Sequence, residues 1–274
     1  MFRDLLVHLD GGQVGRRRVQ FAADLAERAG ARLSGIHVTP PAEVPSLYKP
    51  SLVEEMATNL VSKLKLNTRT AATVFCEEVD LRLPDPRWFE VSGDVVKGIS
   101  EKARYADLVI LGHYERHGAP EAHPLQIAHS VVLRSGRPVL VVPATLQQNA
   151  LARTVVAWDG SREAVRAVHD ALPLLRMSQS IQIVTTVPPS VSDKEIDAQS
   201  LLTHQAKHEI EVGTDVLQIR TIKEHDSLCK QIEQGHYGLF VMGSYSHPMW
   251  LEFIFGGVTQ SVLLSSKILV LVCH

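Results

Sequence analysis

The side chains best suited to chemistry are thirteen histidines, of which His204 and His208 stand about one helical turn apart in His204-Gln205-Ala206-Lys207-His208. That spacing puts two imidazoles on one helix face, as zinc proteases do. The glutamate such enzymes need as general base is absent and no third ligand follows, so a solvated helix face is the plainer reading. His113, His117, His123 and His129 gather in one stretch, but without a metal-ligand spacing. No metal site is expected. No Gly-x-Ser-x-Gly elbow or Ser-His-Asp order stands out. Cys76, Cys229 and Cys273 form no CxxC pair and read as core or strand residues. Cys273, beside the terminal His274, is the candidate for a reactive thiol, although burial is the commoner state of such a cysteine. Arg16-Arg17-Arg18 opens a helix and suggests an anion site, with a solvated face as the plainer reading. No catalytic residue is assigned.

What must position any working residue is a plan that the chain contains twice. Leu5-Leu6-Val7-His8-Leu9-Asp10-Gly11-Gly12 is an apolar run ending in Asp-Gly, followed by a helical stretch from Gly15 to Arg28. Thr154-Val155-Val156-Ala157-Trp158-Asp159-Gly160-Ser161 repeats it and runs into Arg162–Leu175, apolar at Ala164, Val168, Ala171 and Leu175 in helical register. Later, Ala106 to Gly112 parallels Tyr237 to Gly243, each a buried strand stopping at a glycine. Each half closes with a helix end, a turn and an apolar strand, Val139 to Val142 in the first and Ile268 to Val272 in the second. Further strands are expected at Arg32 to Val38 and Ile181 to Val187, then at Trp88 to Val91 and Val216 to Thr221. A helix is expected around Leu52 to Leu66. A polar, turn-prone stretch from Pro143 to Ala150 separates the halves, giving domains 1–146 and 151–274.

Continuous apolar strands alternating with helices imply α/β domains with a parallel sheet covered on both faces. Right-handed crossovers then give two tandem, doubly wound, Rossmann-like domains. Ligands of such sheets bind beyond the carboxyl ends of the strands, where strand order reverses. The positions singled out are Asp10, Gly112, Asp159 and Gly243.

Composition narrows the function classes. The 28 basic and 30 acidic residues are mixed along the chain, so nothing attracts a nucleic acid. No apolar run reaches the ~20 residues that cross a bilayer, and the start Met1-Phe2-Arg3-Asp4-Leu5 lacks the pattern of an export signal. A soluble, cytoplasmic protein with reduced thiols is expected.

The tandem arrangement resembles the two-domain bacterial members of the universal stress protein family, across nearly the whole chain. That resemblance implies the family's adenine-nucleotide α-hydrolase-like fold, with the halves related by a pseudo-two-fold axis. ATP-binding members carry a glycine, two residues, a second glycine, nine residues, then glycine followed by Ser or Thr. Glycines let the backbone approach ribose and phosphates, and the last pair opens a helix whose free N–H groups hold anionic oxygens. The matching stretch of the second half is Gly243-Ser244-Tyr245-Ser246, then His247 to Phe255, then Gly256-Gly257-Val258-Thr259. Ser246 replaces the second glycine and Gly257 replaces the hydroxyl residue. The amides of Gly257, Val258 and Thr259 and the Thr259 hydroxyl remain as donors. By the same resemblance Asp159 meets the adenine or ribose and Val187 borders the base.

The first half departs further, as Gly112-His113-Tyr114-Glu115, Arg116 to Pro124, then Leu125-Gln126-Ile127 keeps only the first glycine. Glu115 would repel phosphate. ATP or another adenine nucleotide is therefore expected in the second half alone. The bland alternative takes Gly243 as a tight turn and Gly256-Gly257 as a flexible loop with no ligand. In the family the closing strands pair across the two-fold axis, which implies an internal pseudo-dimer through 139–142 and 268–272, with a homodimer as a further step. The implied function is stress-responsive regulation of partner proteins without efficient chemistry. A nucleotide-free interaction scaffold and a slow ATPase or nucleotidyl-transfer enzyme are the alternatives.

Overall fold

The structure, a computed structural model, describes residues 1–11, 15–41, 50–79, 82–112, 126–186, 200–201, 203, 208, 210, 213–219, 230–232, 234, 236–243 and 268–274. They fall into two compact units, Phe2–Gly112 and Met1 with His113–His274.

In the first unit the order is β1 (Asp4–His8), α1 (Gly15–Ala29), β2 (Arg32–Thr39), α2 (Pro50–Val79), β3 (Arg87–Ser92), α3 (Val95–Ala103) and β4 (Leu108–Gly112). The strands lie β3-β2-β1-β4 and all pair in parallel, with Leu5 opposite both Leu33 and Leu108. Helices on a parallel sheet bury both faces of its inner strands, and Leu5, Leu6, Val7, Leu108, Val109 and Ile110 are accordingly buried. The edge strand β3 is partly solvated along its length.

The second unit contains α4 (Gln126–Ser135), β5 (Val139–Val142), β6 (Arg153–Trp158), α5 (Arg162–Leu175), β7 (Ser180–Thr186), β8 (Gly213–Ile219), β9 (Leu239–Gly243) and β10 (Leu269–Cys273). Its strands lie β5-β10-β9-β6-β7-β8. All pairs are parallel except β5 with β10, where Val141 faces Val270 and Val139 faces Val272 in antiparallel register. Both strands are wholly buried. The two closing strands thus pair with each other, as the family resemblance implies. This pairing also places α4 and β5, the end of the first sequence repeat, in the second compact unit.

In both units the strand order reverses beside the first strand of the repeat, between β1 and β4 and between β6 and β9. Both sheets are therefore doubly wound. Helix α5 starts where expected because Ser161, in extended conformation, caps it by accepting from the Ala164 N–H. Asp94 does the same for α3.

Two sequence expectations are corrected. Helix α2 runs for 30 residues, roughly 45 Å at 1.5 Å per residue, and not only around Leu52 to Leu66. Its far end is held to α1 by Arg16, which reaches both Glu77 and Glu78. Cys76, read as a core or strand residue, is exposed on this helix.

Candidate functional site

The carboxyl end of β6 is the better candidate. The strand stops at Trp158, Asp159 turns the chain, and Gly160 adopts a φ of 73°, a left-handed conformation that favours glycine. Asp159 Oδ1 accepts from the Ser161 N–H at 2.9 Å, an Asx turn that fixes the carboxylate beside the start of α5. Across the strand reversal, β9 ends at Gly243. A Cβ built there would lie 2.6 Å from the carbonyl carbon of Glu163 and 2.8 Å from the nitrogen of Ala164. The first turn of α5 therefore presses on the strand end, and packing alone requires this glycine.

Two polar atoms at the same end have no partner among the described residues. Trp158 Nε1 and Thr185 Oγ1 are buried without a hydrogen bond to any of them, and the two residues are directly opposite each other in the β6–β7 register. Almost every buried donor in a folded protein finds an acceptor, so an orphan pair beside a strand reversal asks for an explanation. An indole N–H and a hydroxyl on adjoining strands, with Asp159 next in the chain, are suited to a polar, flat ligand whose ring edge offers both acceptors and donors.

Of the residues expected from sequence, the structure places Asp159 and Gly243 on the two sides of the reversal. Val187, Ser246, Gly256, Gly257, Val258 and Thr259 lie outside the described residues, as do Glu115, His113, His117, His123, His204 and Cys229. Sequence reasoning missed Trp158 and Thr185. The available signal was the type of residue: an indole as the last residue of an otherwise aliphatic buried strand brings an N–H that the strand ladder does not use.

The equivalent end of the first unit is built differently. Arg18, expected on a solvated helix face, is only 2% exposed. Its Nη1 donates to the His8 carbonyl at 2.6 Å and its Nη2 approaches Asp10 Oδ2 at 3.5 Å, while Nε has no partner among the described residues. Burial pushes the guanidinium pKa down and Asp10 pulls it up. Beside it His8 is held at about 3, first by burial and then by the Arg18 charge, so the imidazole stays neutral. His37 is also buried and shares a hydrogen bond between Nδ1 and the Leu9 carbonyl at 2.7 Å. Gly11, at φ 81°, repeats the turn of Gly160.

Other expected candidates lead nowhere chemical. Cys273 is buried, and burial raises its thiol pKa well above the usual value, which favours an inert thiol. Among the described residues no three His, Cys, Asp or Glu side chains form a metal-binding group. His208 instead meets the His169 ring edge-on at 6.2 Å. No described helix is long and apolar enough to cross a membrane.

A tandem, doubly wound sheet with its two closing strands paired defines the class, and sequence comparison names it. The model of the universal stress protein family matches residues 1–143 and again 151–274, and the chain belongs to that family. No curated protein matches significantly. Among solved structures, a universal stress protein from Archaeoglobus fulgidus DSM 4304 covers 99% of this chain and 98% of its own at 14% identity, with a TM-score of 0.69. A universal stress protein from Pseudomonas aeruginosa UCBPP-PA14 is 13% identical over 99% of this chain and 93% of its own, with a TM-score of 0.54. A universal stress protein solved in complex with cAMP is 20% identical over 53% of this chain and 98% of its own, with a TM-score of 0.34.

Proposed function

We propose that this protein is a cytoplasmic stress-response module that binds one adenine nucleotide, ATP or a close relative, in its second half, and that it acts through changed association with protein partners and not through efficient chemistry. The observation that supports the reading is the pair Trp158 Nε1 and Thr185 Oγ1, unpartnered among the described residues, on β6 and β7, with Asp159 following Trp158 at the strand end. A base and ribose have the donors and acceptors that such a trio lacks. The phosphates would go to the backbone amides of Gly257, Val258 and Thr259 and the Thr259 hydroxyl beside Gly256, as the family resemblance implies.

The test is mass spectrometry of any small molecule released on denaturing the freshly purified protein, with calorimetric titration of ATP into the emptied chain. About one nucleotide per chain is expected. Trp158→Phe removes the indole N–H but keeps most of the ring, and should weaken binding roughly 5- to 100-fold, the value of a lost hydrogen bond to a buried ligand. An empty protein that gives no heat with ATP, AMP or cAMP would leave the interaction scaffold as the account of the fold.

A further inference from the structure

The first unit contains the same strand reversal, between β1 and β4, with Asp10 just beyond one strand and Gly112 ending the other. A ligand crevice of a doubly wound sheet opens at this point. Here the point is filled by the protein. A Cβ built on Gly112 would overlap Nη2 and Cζ of Arg18 and lie 2.6 Å from its Nε, so the guanidinium lies directly against the glycine. The same group approaches the Asp10 carboxylate at 3.5 Å and is anchored by the His8 carbonyl. From the other side α2 covers the turn, because a Cβ on Gly11 would meet Asn67 Cβ at 2.6 Å. An open cleft of about 480 Å³ does exist in this unit, but it is lined by Thr39, Pro40, Val61, Leu64, Lys65, Thr68, Arg69 and Glu90, not by Asp10 or Gly112.

The second unit shows what the position holds otherwise. Aligning Asp10-Gly11 with Asp159-Gly160 puts Arg18 opposite Ala167, and the buried faces of the two helices agree: Gly15, Arg18, Val19 and Ala22 match Ala164, Ala167, Val168 and Ala171. An alanine at that position has no side chain long enough to reach the strand end as Arg18 does.

We infer that Arg18 closes the first crevice by standing in for the ligand, contacting Gly112 and neutralising Asp10, so that the chain carries one closed and one open copy of the same site. The ligand class used in the test, an adenine nucleoside, rests on the reading of the second half. A neutral azidoadenosine photoprobe avoids any demand on the phosphate loop. It is crosslinked to the full-length wild type, Arg18→Ala and Arg18→Gln, and labelled peptides are mapped. Arg18→Gln is shorter but keeps an N–H donor for the His8 carbonyl, and far-UV circular dichroism melts show which variants fold. Wild-type label should be absent from residues 2–112, and labelling there should rise about tenfold or more in the folded variants. Wild-type labelling of the first half equal to that of the second, or a folded variant with no gain, would overturn the closure. Failure of the second-half reading appears separately, as unlabelled peptides from 151–274 in the wild type, whichever way the first half responds.

Discussion

At the end of β1 a buried guanidinium lies against a glycine and beside a carboxylate, whereas at the ends of β6 and β7 an indole N–H and a hydroxyl have no partner among the described residues. The two places share the strand order, the Asp-Gly turn and the helix register. They differ in where their polar groups find company. In the first unit a buried arginine spans a backbone carbonyl and an aspartate, with its Nε and His37 Nε2 unpaired among the described residues, and in the second no charged side chain takes that place, as Ala167 stands where Arg18 does. A duplicated fold can thus keep its scaffold in both copies while only one keeps an unfilled site, because scaffold and site draw on different residues.

The largest effect that tests this comparison is a response to acid. His8 is lowered to about 3 within the folded first unit, by burial first, then by Arg18 and His37, against the pull of Asp10, while the unfolded imidazole titrates near 6.5. Between those values the unfolded chain binds a proton that the folded one refuses. Stability therefore falls as pH drops from about 6.5 towards 3, by on the order of 5 kcal/mol in total. The second unit has Ala157 at the matching position, so nothing titrates at that position, although its half-buried His129 is also lowered by burial. Hydrogen exchange at pH 4.5 should show β1 and β4 losing protection before β6 and β9, and His8→Gln should flatten the difference. Equal loss in both units would remove His8 as the cause.

A smaller contrast lies in the two strand-ending glycines. A methyl group on Gly243 meets the backbone of Glu163 and Ala164, whereas one on Gly112 meets the end of the Arg18 side chain. Backbone yields less readily than a guanidinium. Gly243→Ala should cost roughly 3 kcal/mol and Gly112→Ala about 1, measured by urea unfolding. Similar costs would show that Arg18 is held as rigidly as a helix turn.

Much of this architecture was legible in the sequence. The aliphatic runs at Leu5–Val7 and Val155–Ala157 mark strands because burial on both faces leaves no room for polar alternation, and the Asp-Gly that follows each run marks a turn. Helix α5 could be placed from its apolar period at Ala164, Val168, Ala171 and Leu175, and the structure adds the Ser161 cap that starts it. Arg18 was misread because local charge patterning treats three consecutive arginines as one solvated face, while helical geometry turns the third of them inward at the position of Ala167. The second half of α2 buries Ala71, Phe75 and Val79 at a spacing of four while Arg16 pairs with Glu77 and Glu78, so a narrow apolar stripe among polar residues carries the helix on beyond Leu66. Trp158 and Thr185 were invisible for another reason. They matter through strand register, and a one-dimensional pattern does not show which residues of β6 and β7 stand opposite each other.

The smallest expected effect concerns how α5 is started. Ser161 caps the helix through its hydroxyl, at 3.1 Å from the Ala164 nitrogen, and its own N–H is the donor that holds Asp159. The first half has Gly12 at the aligned position, a residue with no side chain to cap anything. Ser161→Ala should cost about 1 kcal/mol, and Ser161→Gly, which restores the first-half residue, only a few tenths. In both variants the backbone N–H remains, so Asp159 keeps its turn and nucleotide affinity should change less than stability does. Parallel urea melts and ATP titrations on the two variants separate the terms. A loss of affinity larger than the loss of stability would mean that the hydroxyl, and not only the backbone, belongs to the site.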